Sequence, residues 1–145
     1  MNLFRVMEIS GSALLAERMR AEIVSANLAN AETTRTPDGG PYRRKDAVFQ
    51  SSEVGSSFAD LFRVETDPQS TGVAVSDIVV DQRDPEKRYI PGHPDADKDG
   101  YVSFPRINPA EDMVDLMGAT RNYEGNIAAI SAVKDMIQRS IDLLR

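Results

Sequence analysis

The carboxyl-terminal third of the chain carries the most regular pattern of apolar residues. From Met113 onward a series with alternating spacings of three and four residues is apolar at eight of its ten positions: Met113, Leu116, Thr120, Tyr123, Ile127, Ile130, Lys134, Ile137, Ile141 and Leu144. This heptad spacing predicts one long helix with an apolar stripe. Asn108 is the expected N-cap, Pro109 the first helical residue, and Asp112 places negative charge near the helix N-terminus. We therefore predict a helix over residues 109–144.

The amino-terminal part carries a weaker version of this pattern. Six of eight positions in a four-three series are apolar: Leu3, Met7, Ser10, Leu14, Glu17, Ala21, Val24 and Leu28. A second apolar group lies on another face of the same helix: Ile9, Ala13, Ala16 and Ile23. These two faces predict a helix from Asn2 to about Ala29 that contacts more than one neighbour and ends before the β-branched residues and proline of 33–37.

The region between the helices is irregular and β-like. Short runs bounded by turn residues predict strands at 42–49, 73–80, 87–90 and 101–104, whereas the serine-rich segment 50–57 reads as a loop. The fold class is therefore α+β. Its three regions are an N-terminal helix over 1–30, a β-rich and loop-rich middle domain over 31–108, and a C-terminal helix over 109–145.

The predicted helices are too long for a compact globule. At 1.5 Å per residue they measure roughly 42 and 53 Å, whereas a compact chain of 145 residues has a diameter of roughly 40 Å. An elongated molecule with the two helices paired as a coiled coil accommodates these lengths. Gly118, Gly125 and Ala132 recur at seven-residue intervals away from the apolar stripe. They form either a close-packing stripe for another helix or a set of tolerated surface residues.

Composition and charge exclude several classes of function. The chain has no Cys and a single His, which excludes a disulfide framework, a thiolate nucleophile and a Cys-based zinc site. Its formal net charge of −6 disfavours nucleic acid and anionic lipid as partners. No apolar run has the length of a membrane span, and no signal peptide is recognisable. We expect no cofactor, no membrane insertion and no enzymatic activity.

Three short motifs have both a chemical and a structural interpretation. Asp95, Asp97, Asp99 and Gly100 match the first half of a calcium-binding loop, but Arg106 stands where the loop needs a bidentate Glu, so an acidic turn is favoured over a calcium-binding module. His93 has no convergent partners in the sequence, and a structural hydrogen bond is its expected role. The basic run 43–45 is expected on a solvated face or in an ion pair between subunits.

The stretch 25–34 is the most distinctive block of the sequence. Asn27 and Asn30 lie near the end of the first helix, where their amides can bond free backbone groups or a neighbouring subunit. The block resembles the signature of bacterial flagellar basal-body rod proteins, and the resemblance covers nearly the whole chain. Segments similar to the FlgC type of proximal rod protein are 42–45, 48–49, 92–96, 100–102, 111–117 and 121–126.

The resemblance implies an exported structural subunit of the proximal rod, the drive shaft that crosses the periplasm and passes torque from motor to hook. It implies copies of the same chain, other rod and basal-body proteins, and the flagellar type III export apparatus as partners. It also implies export to the basal body without signal cleavage. The residues expected at subunit contacts are Leu14, Asn27, Leu28, Asn30, Tyr123, Asn126, Ile127, Ile130, Ile137 and Ile141. A soluble coiled-coil adaptor with an acidic binding domain is the alternative.

Overall fold

A computed structural model describes residues 3–53 and 71–143. The elements in chain order are two terminal helices and four strands: α1 (Leu3–Ala29), β1 (Lys45–Glu53), β2 (Thr71–Val80), β3 (Glu86–Tyr89), β4 (Tyr101–Phe104) and α2 (Pro109–Asp142). Strand β1 pairs with β2, and β3 pairs with β4. The α+β class predicted from the sequence is confirmed.

Both helices have the predicted bounds to within two residues. The N-cap of α2 is formed as expected, because the Asn108 side-chain oxygen accepts a hydrogen bond from the Ala110 amide at 3.1 Å. Helix α1 ends where the Asn30 amide bonds the Ala26 carbonyl at 3.1 Å and the chain turns toward the strands. No helix among the described residues is long and apolar enough to cross a membrane.

The strand predictions are correct for β4 and close for β2 and β3, but they place β1 wrongly. The prediction starts this strand at 42, whereas β1 begins at Lys45 because the Tyr42 amide is bound by the Thr33 carbonyl at 3.0 Å. The loop predicted from residue 50 is also wrong over 50–53, which remain in β1. Pairing with β2 supplies backbone partners there regardless of serine content. The rest of that predicted loop, 54–57, lies outside the described residues.

The chain divides into two compact units. The first comprises Met1–Met19, Phe49–Ser76 and Ala119–Arg145. Its buried described residues are all small: Ser10, Ala16, Gly72, Ala119 and Val133. Within this unit the Ser12 hydroxyl accepts a hydrogen bond from the Val73 amide at 3.1 Å, and the Asn122 amide donates to Glu17 Oε1 at 2.9 Å.

The second unit comprises Arg20–Val48 and Asp77–Gly118. It contains the β3–β4 hairpin, whose register pairs Glu86 with Phe104 and Tyr89 with Tyr101. Its buried residues are larger and more polar than those of the first unit: Val24, Asn27, Val102, Phe104, Pro105 and Asp112. This unit therefore holds the only buried aromatic side chain among the described residues.

The inward-facing positions of α1 match the prediction, and those of α2 differ by one residue along half of the stripe. All eight positions predicted on α1 are buried or half-buried. On α2, Leu116, Ile130 and Ile137 are half-buried as expected, whereas the predicted Tyr123 and Ile141 are exposed. The other inward positions are Asp112, Ala119, Asn126 and Val133 rather than 113, 120, 127 and 134. Ala119 and Val133 are buried, whereas Met113 and Ile127 are exposed.

Candidate functional site

Asn27 is the central polar residue of the second unit. Its side chain is fully buried, and its amide nitrogen donates to the Lys45 carbonyl at 2.7 Å. Its amide oxygen accepts hydrogen bonds from the Lys45 amide at 3.0 Å and from the Tyr42 hydroxyl at 3.1 Å. Asn27 thereby acts as a backbone-like partner for the first residue of β1, and it fixes the direction in which the chain leaves α1.

Asn30 has a local role at the end of α1. Its amide nitrogen donates to the Ala26 carbonyl at 2.8 Å, and its amide oxygen accepts from the Thr33 hydroxyl at 3.1 Å. The sequence left open whether these two amides bind the backbone or a neighbouring subunit. Within one chain both amides bind groups at the helix exit, and their role at a subunit contact stays a prediction.

Arg44 connects the start of β1 with the first turns of α2. Its guanidinium lies 3.2 Å from Asp112 Oδ1 and 3.7 Å from Asp115 Oδ2, and it also pairs with Asp46 at 3.1 Å. Arg20 of α1 reaches the other oxygen of Asp115 at 3.4 Å. The Arg44 side chain is only 18% exposed, so the expectation of a solvated or intersubunit role is wrong for this residue. Its partners are in the same unit.

Asp112 is a buried carboxylate that has an ion-pair partner but accepts no hydrogen bond. Its side chain is fully inaccessible, and neither oxygen receives a hydrogen bond although Arg44 Nη1 lies nearby. Burial raises the pKa of Asp112, and the charge of Arg44 opposes that change. Burial, followed by the Asp112 charge, also raises the pKa of Tyr42. The sequence identified Asp112 only as a helix-dipole charge, because a partner 68 positions away leaves no local pattern.

The outward faces of both helices carry large apolar side chains. On α1 the exposed set is Phe4, Leu15 and Met19, and on the first turns of α2 it is Met113, Val114 and Met117. Leu15 and Val114 are 70% and 68% exposed. Several large apolar side chains exposed on one helix are typical of a protein-contact site.

The predicted contact residues fall into three groups. Asn27 is buried; Leu14, Leu28, Asn30, Asn126, Ile130 and Ile137 are half-buried; and Tyr123, Ile127 and Ile141 are exposed. In the predicted close-packing stripe, Gly118 is half-buried and Gly125 and Ala132 are exposed. A methyl group added at Gly118 or Gly125 would meet no atom within 4 Å. The two glycines therefore face open space in the single chain.

The acidic motif forms a hydrogen-bonded turn. Asp97 Oδ1 accepts from the amides of Asp99 at 2.9 Å and Tyr101 at 2.8 Å, and Asp95 Oδ2 accepts from the Thr34 hydroxyl at 2.8 Å. These bonds confirm the acidic turn. No cluster of metal-ligating side chains occurs in the part of the chain that the structure describes. The structural role of His93 is also confirmed, because its Nδ1 accepts a hydrogen bond from the Asp95 amide at 3.1 Å.

Family models match both ends of the chain. The model described as flagella basal body rod protein matches residues 7–35, which cover most of α1 and its exit. The model described as flagellar basal body rod FlgEFG protein C-terminal matches residues 98–143, which cover β4 and α2.

Curated relatives match nearly the full length. A flagellar basal-body rod protein FlgC of Bacillus subtilis is 39% identical, with 99% of each chain covered. The protein of the same name from Borreliella burgdorferi is 36% identical over 100% of this chain and 99% of its own. That of Salmonella typhimurium is 38% identical over 99% and 98%. The chain belongs to the FlgC family of flagellar basal-body rod proteins. The resemblance seen in the sequence is confirmed.

Several of the residues described above lie within the ranges that the family models match. The family model at the N-terminus includes Asn27 and Asn30, and the one at the C-terminus includes Asp99 at the end of the acidic turn and the outward face of α2. Arg44 lies between the two matched ranges, yet its partner Asp112 lies inside the second. The exposed apolar face of each helix is therefore a candidate contact site, and within the second unit the Arg44–Asp112 ion pair holds the first turns of α2, which carry Met113, Val114 and Met117.

Proposed function

We propose that the chain is a structural subunit of the proximal rod of the flagellar basal body, and that it assembles by packing its terminal helices against neighbouring subunits. In this role it transmits torque from the motor to the hook. The observation that carries the proposal is the near-full-length similarity to FlgC rod proteins, together with the apolar side chains on the outward faces of both helices.

The small core of the first unit supports assembly with neighbours. Its fully buried described residues are no larger than Val133, and the larger apolar residues Leu14, Ile130 and Ile137 are only half-buried. The same unit exposes Phe4, Leu15, Ile127 and Ile141. Because ordering a helix costs conformational entropy at each residue, extra burial against neighbouring subunits would stabilise this unit substantially.

The open glycine positions support close helix contact. Gly118 and Gly125 each cost about 1 kcal/mol in a helix relative to Ala, and no atom of the described residues lies within 4 Å of a methyl group placed at either position. A helix of a neighbouring subunit that packs along Gly118, Gly125 and Ala132 would use this space. We propose the same role for the predicted contact residues Tyr123, Ile127 and Ile141.

We also propose that α1 and α2 pair as a coiled coil in an elongated molecule, with a helical N-terminal region over 1–30, a middle domain over 31–108 and a C-terminal helix over 109–145. Two contacts support the pairing. In the first unit Asn122 donates to Glu17, and in the second unit Arg20 pairs with Asp115. Each links one terminal helix to the other.

The proposed location is the periplasmic part of the basal body, reached through the flagellar type III export apparatus without a cleaved signal peptide. The partners are copies of this chain and other rod and basal-body proteins. The lack of Cys supports this route, since no disulfide can trap the chain while it travels unfolded.

Substitution of an exposed apolar residue tests the proposal. Leu15→Asp removes an outward contact without disturbing the core, so the variant should keep its helical circular dichroism spectrum but fail to restore motility in a strain deleted for the gene. Ser25→Asp is a matched control, because Ser25 is exposed on another face of α1. A deletion strain that still makes complete basal bodies would contradict the proposal and favour the soluble adaptor.

A further inference from the structure

The β3–β4 hairpin of the second unit carries opposite charge at its two ends. Because Tyr89 pairs with Tyr101, the connection 90–100 with its acidic turn lies at one end. Because Glu86 pairs with Phe104, Pro105 and Arg106 lie at the other end. Asp99 lies two residues before β4 and Arg106 two residues after it, so the strand, which measures roughly 13 Å at about 3.3 Å per residue, separates them.

The basic end is a shallow cleft. It is lined by four arginines and one aspartate, a local charge of +3, with three prolines among the remaining walls: Arg43, Arg44, Arg83, Arg106, Asp81, Pro41, Pro85 and Pro105. Its volume of about 20 Å³ is far below that of a small-molecule pocket. The cleft is therefore suited to contact with a protruding side chain of another protein.

Two of the four arginines, Arg43 and Arg106, form no ion pair with a carboxylate of the described residues, although the charge of Arg106 contributes to lowering the pKa of Asp81 and Glu86. Arg44 is held by Asp112 and Asp46, and Arg83 is held by Asp81. Arg43 donates only to the Asp81 carbonyl, at 3.0 Å. Arg106 is exposed and makes neither a hydrogen bond nor an ion pair with the residues that the structure describes.

The acidic end offers a matching carboxylate in a preorganised turn. Asp95 and Asp97 already accept hydrogen bonds within the unit, whereas the carboxylate of Asp99 has no partner among the described residues and is exposed. Gly100 has φ of 81°, and a methyl group there would lie 2.9 Å from the Tyr89 ring. The turn is thus held in one conformation, which lowers the entropic cost of binding.

We propose that this end of the hairpin binds a second copy of the chain head to tail, with Asp99 of one copy seated between Arg43 and Arg106 of the next. The inference rests on the proposed function. Each copy supplies both charges, and the hairpin separates them too far for one chain to pair with itself. A contact between two different patches of the same chain is heterologous and generates rings or helical assemblies.

Such a contact would determine the alignment of neighbouring copies more than the strength of their association. Arginine and carboxylate at a protein interface mainly steer association and reject wrong alignments, while burial of the helix faces supplies most of the free energy of association. Neighbouring copies would thus be set at one offset by the hairpin ends.

Cysteine crosslinking in assembled rods tests the contact, since the chain has no native Cys. The Asp99→Cys, Arg106→Cys double variant is treated with a short bis-maleimide in purified basal bodies, because an Asp–Arg pair exceeds the Cα separation of a disulfide. We expect dimers and larger multiples of the chain on a denaturing gel. Each single variant and the Asp99→Cys, Lys87→Cys pair are controls, and they should give monomer.

Charge reversal gives an independent readout. Asp99→Arg and Arg106→Asp should each lower the yield of basal bodies about tenfold, and their combination should restore it to within about twofold. Rods that contain the chain by immunoblot but give no crosslinks and no loss of yield would overturn the contact and leave the proposed function intact. Basal bodies without the chain would overturn the proposed function itself.

Discussion

Asn27 shows how one side chain determines the path of the backbone. Its amide replaces a strand partner for Lys45 and also binds Tyr42, all inside the second unit. No apolar residue of the same size can satisfy both the amide and the carbonyl of Lys45. A buried polar group without a partner costs about 1–3 kcal/mol.

We therefore expect Asn27→Ala to lower the free energy of unfolding by about 3 kcal/mol, because three part-buried hydrogen bonds, to the Lys45 amide and carbonyl and the Tyr42 hydroxyl, are lost. Urea denaturation followed by circular dichroism measures the change. Asn30→Ala is the matched control and should cost about 1 kcal/mol, since its two bonds are less buried. Equal losses for the two variants would refute the distinction.

Because Asp112 is buried, we expect its contribution to stability to decrease as pH rises, which is unusual for a carboxylate. Its pKa is raised by burial above the ordinary value of 3.8, so its contribution to stability is complete below that pH and is lost as pH rises through the folded value. Asp112→Asn cannot ionise and avoids this loss. The stability of the variant relative to the native chain should therefore increase between pH 4 and pH 7 in urea titrations.

Asp81 provides a control of opposite sign. A hydrogen bond from the Arg83 side chain lowers the pKa of Asp81 to about 2, so its contribution is present above pH 3.8 and is lost as pH falls toward 2. Asp81→Asn should lower stability near neutral pH and make no difference at pH 2. The same pH trend in both variants would contradict the described environments.

Individual contacts could be predicted from the sequence where both partners are close together along the chain. The Asn108 cap, the acidic turn around Asp97 and the structural His93 are all contacts within four positions of the chain. The partnership of Arg44 with Asp112 was missed, since a basic run beside a strand gives no sign of a buried acid 68 positions later.

At the scale of elements, the two helices were predictable because their heptad pattern is long. The inward stripe of α1 was predicted correctly, whereas half of that on α2 is displaced by one residue to Ala119 and Val133. A series of apolar residues identifies a helix more reliably than it identifies which face of the helix is buried. On α2 the face that contains Met113 and the neighbouring face that contains Asp112 were both possible, and tertiary packing buries the second. Strand β1 was misplaced because backbone pairing, not side-chain type, sets its ends.

Gly125 tests whether α2 is closely packed in the rod. No atom lies within 4 Å of a methyl group placed there, so Gly125→Ala should raise the free energy of unfolding of the isolated chain by about 0.5–1 kcal/mol through helix propensity. Gly125→Leu should leave the isolated chain folded and lower incorporation into basal bodies at least about tenfold, because the larger side chain prevents close approach of a neighbouring helix.

Comparing these two variants distinguishes an effect on packing between subunits from an effect on folding of the isolated chain. Circular dichroism of each purified chain checks folding, and quantitative immunoblots of purified basal bodies measure incorporation. Normal incorporation of Gly125→Leu would show that the glycines are tolerated surface residues, the other interpretation left open by the sequence.

At the scale of the whole molecule, the balance between buried and exposed apolar surface is the informative feature. Among the described residues of the first unit, none larger than Val133 is buried, while Leu15, Ile127 and Ile141 of the same unit are exposed. A unit that exposes these larger apolar side chains can bury them against neighbouring subunits. Because the chain belongs to a family of rod proteins, we expect those neighbours to be other subunits of the rod.

A cryo-EM map of basal bodies purified from the native bacterium would show directly whether the chain is a rod subunit. We expect density for α1 and α2 within the rod, with Leu15, Val114 and Gly125 covered by helices of adjacent subunits. A map in which the chain is absent from the rod, or in which these outward faces remain open to solvent, would contradict this expectation.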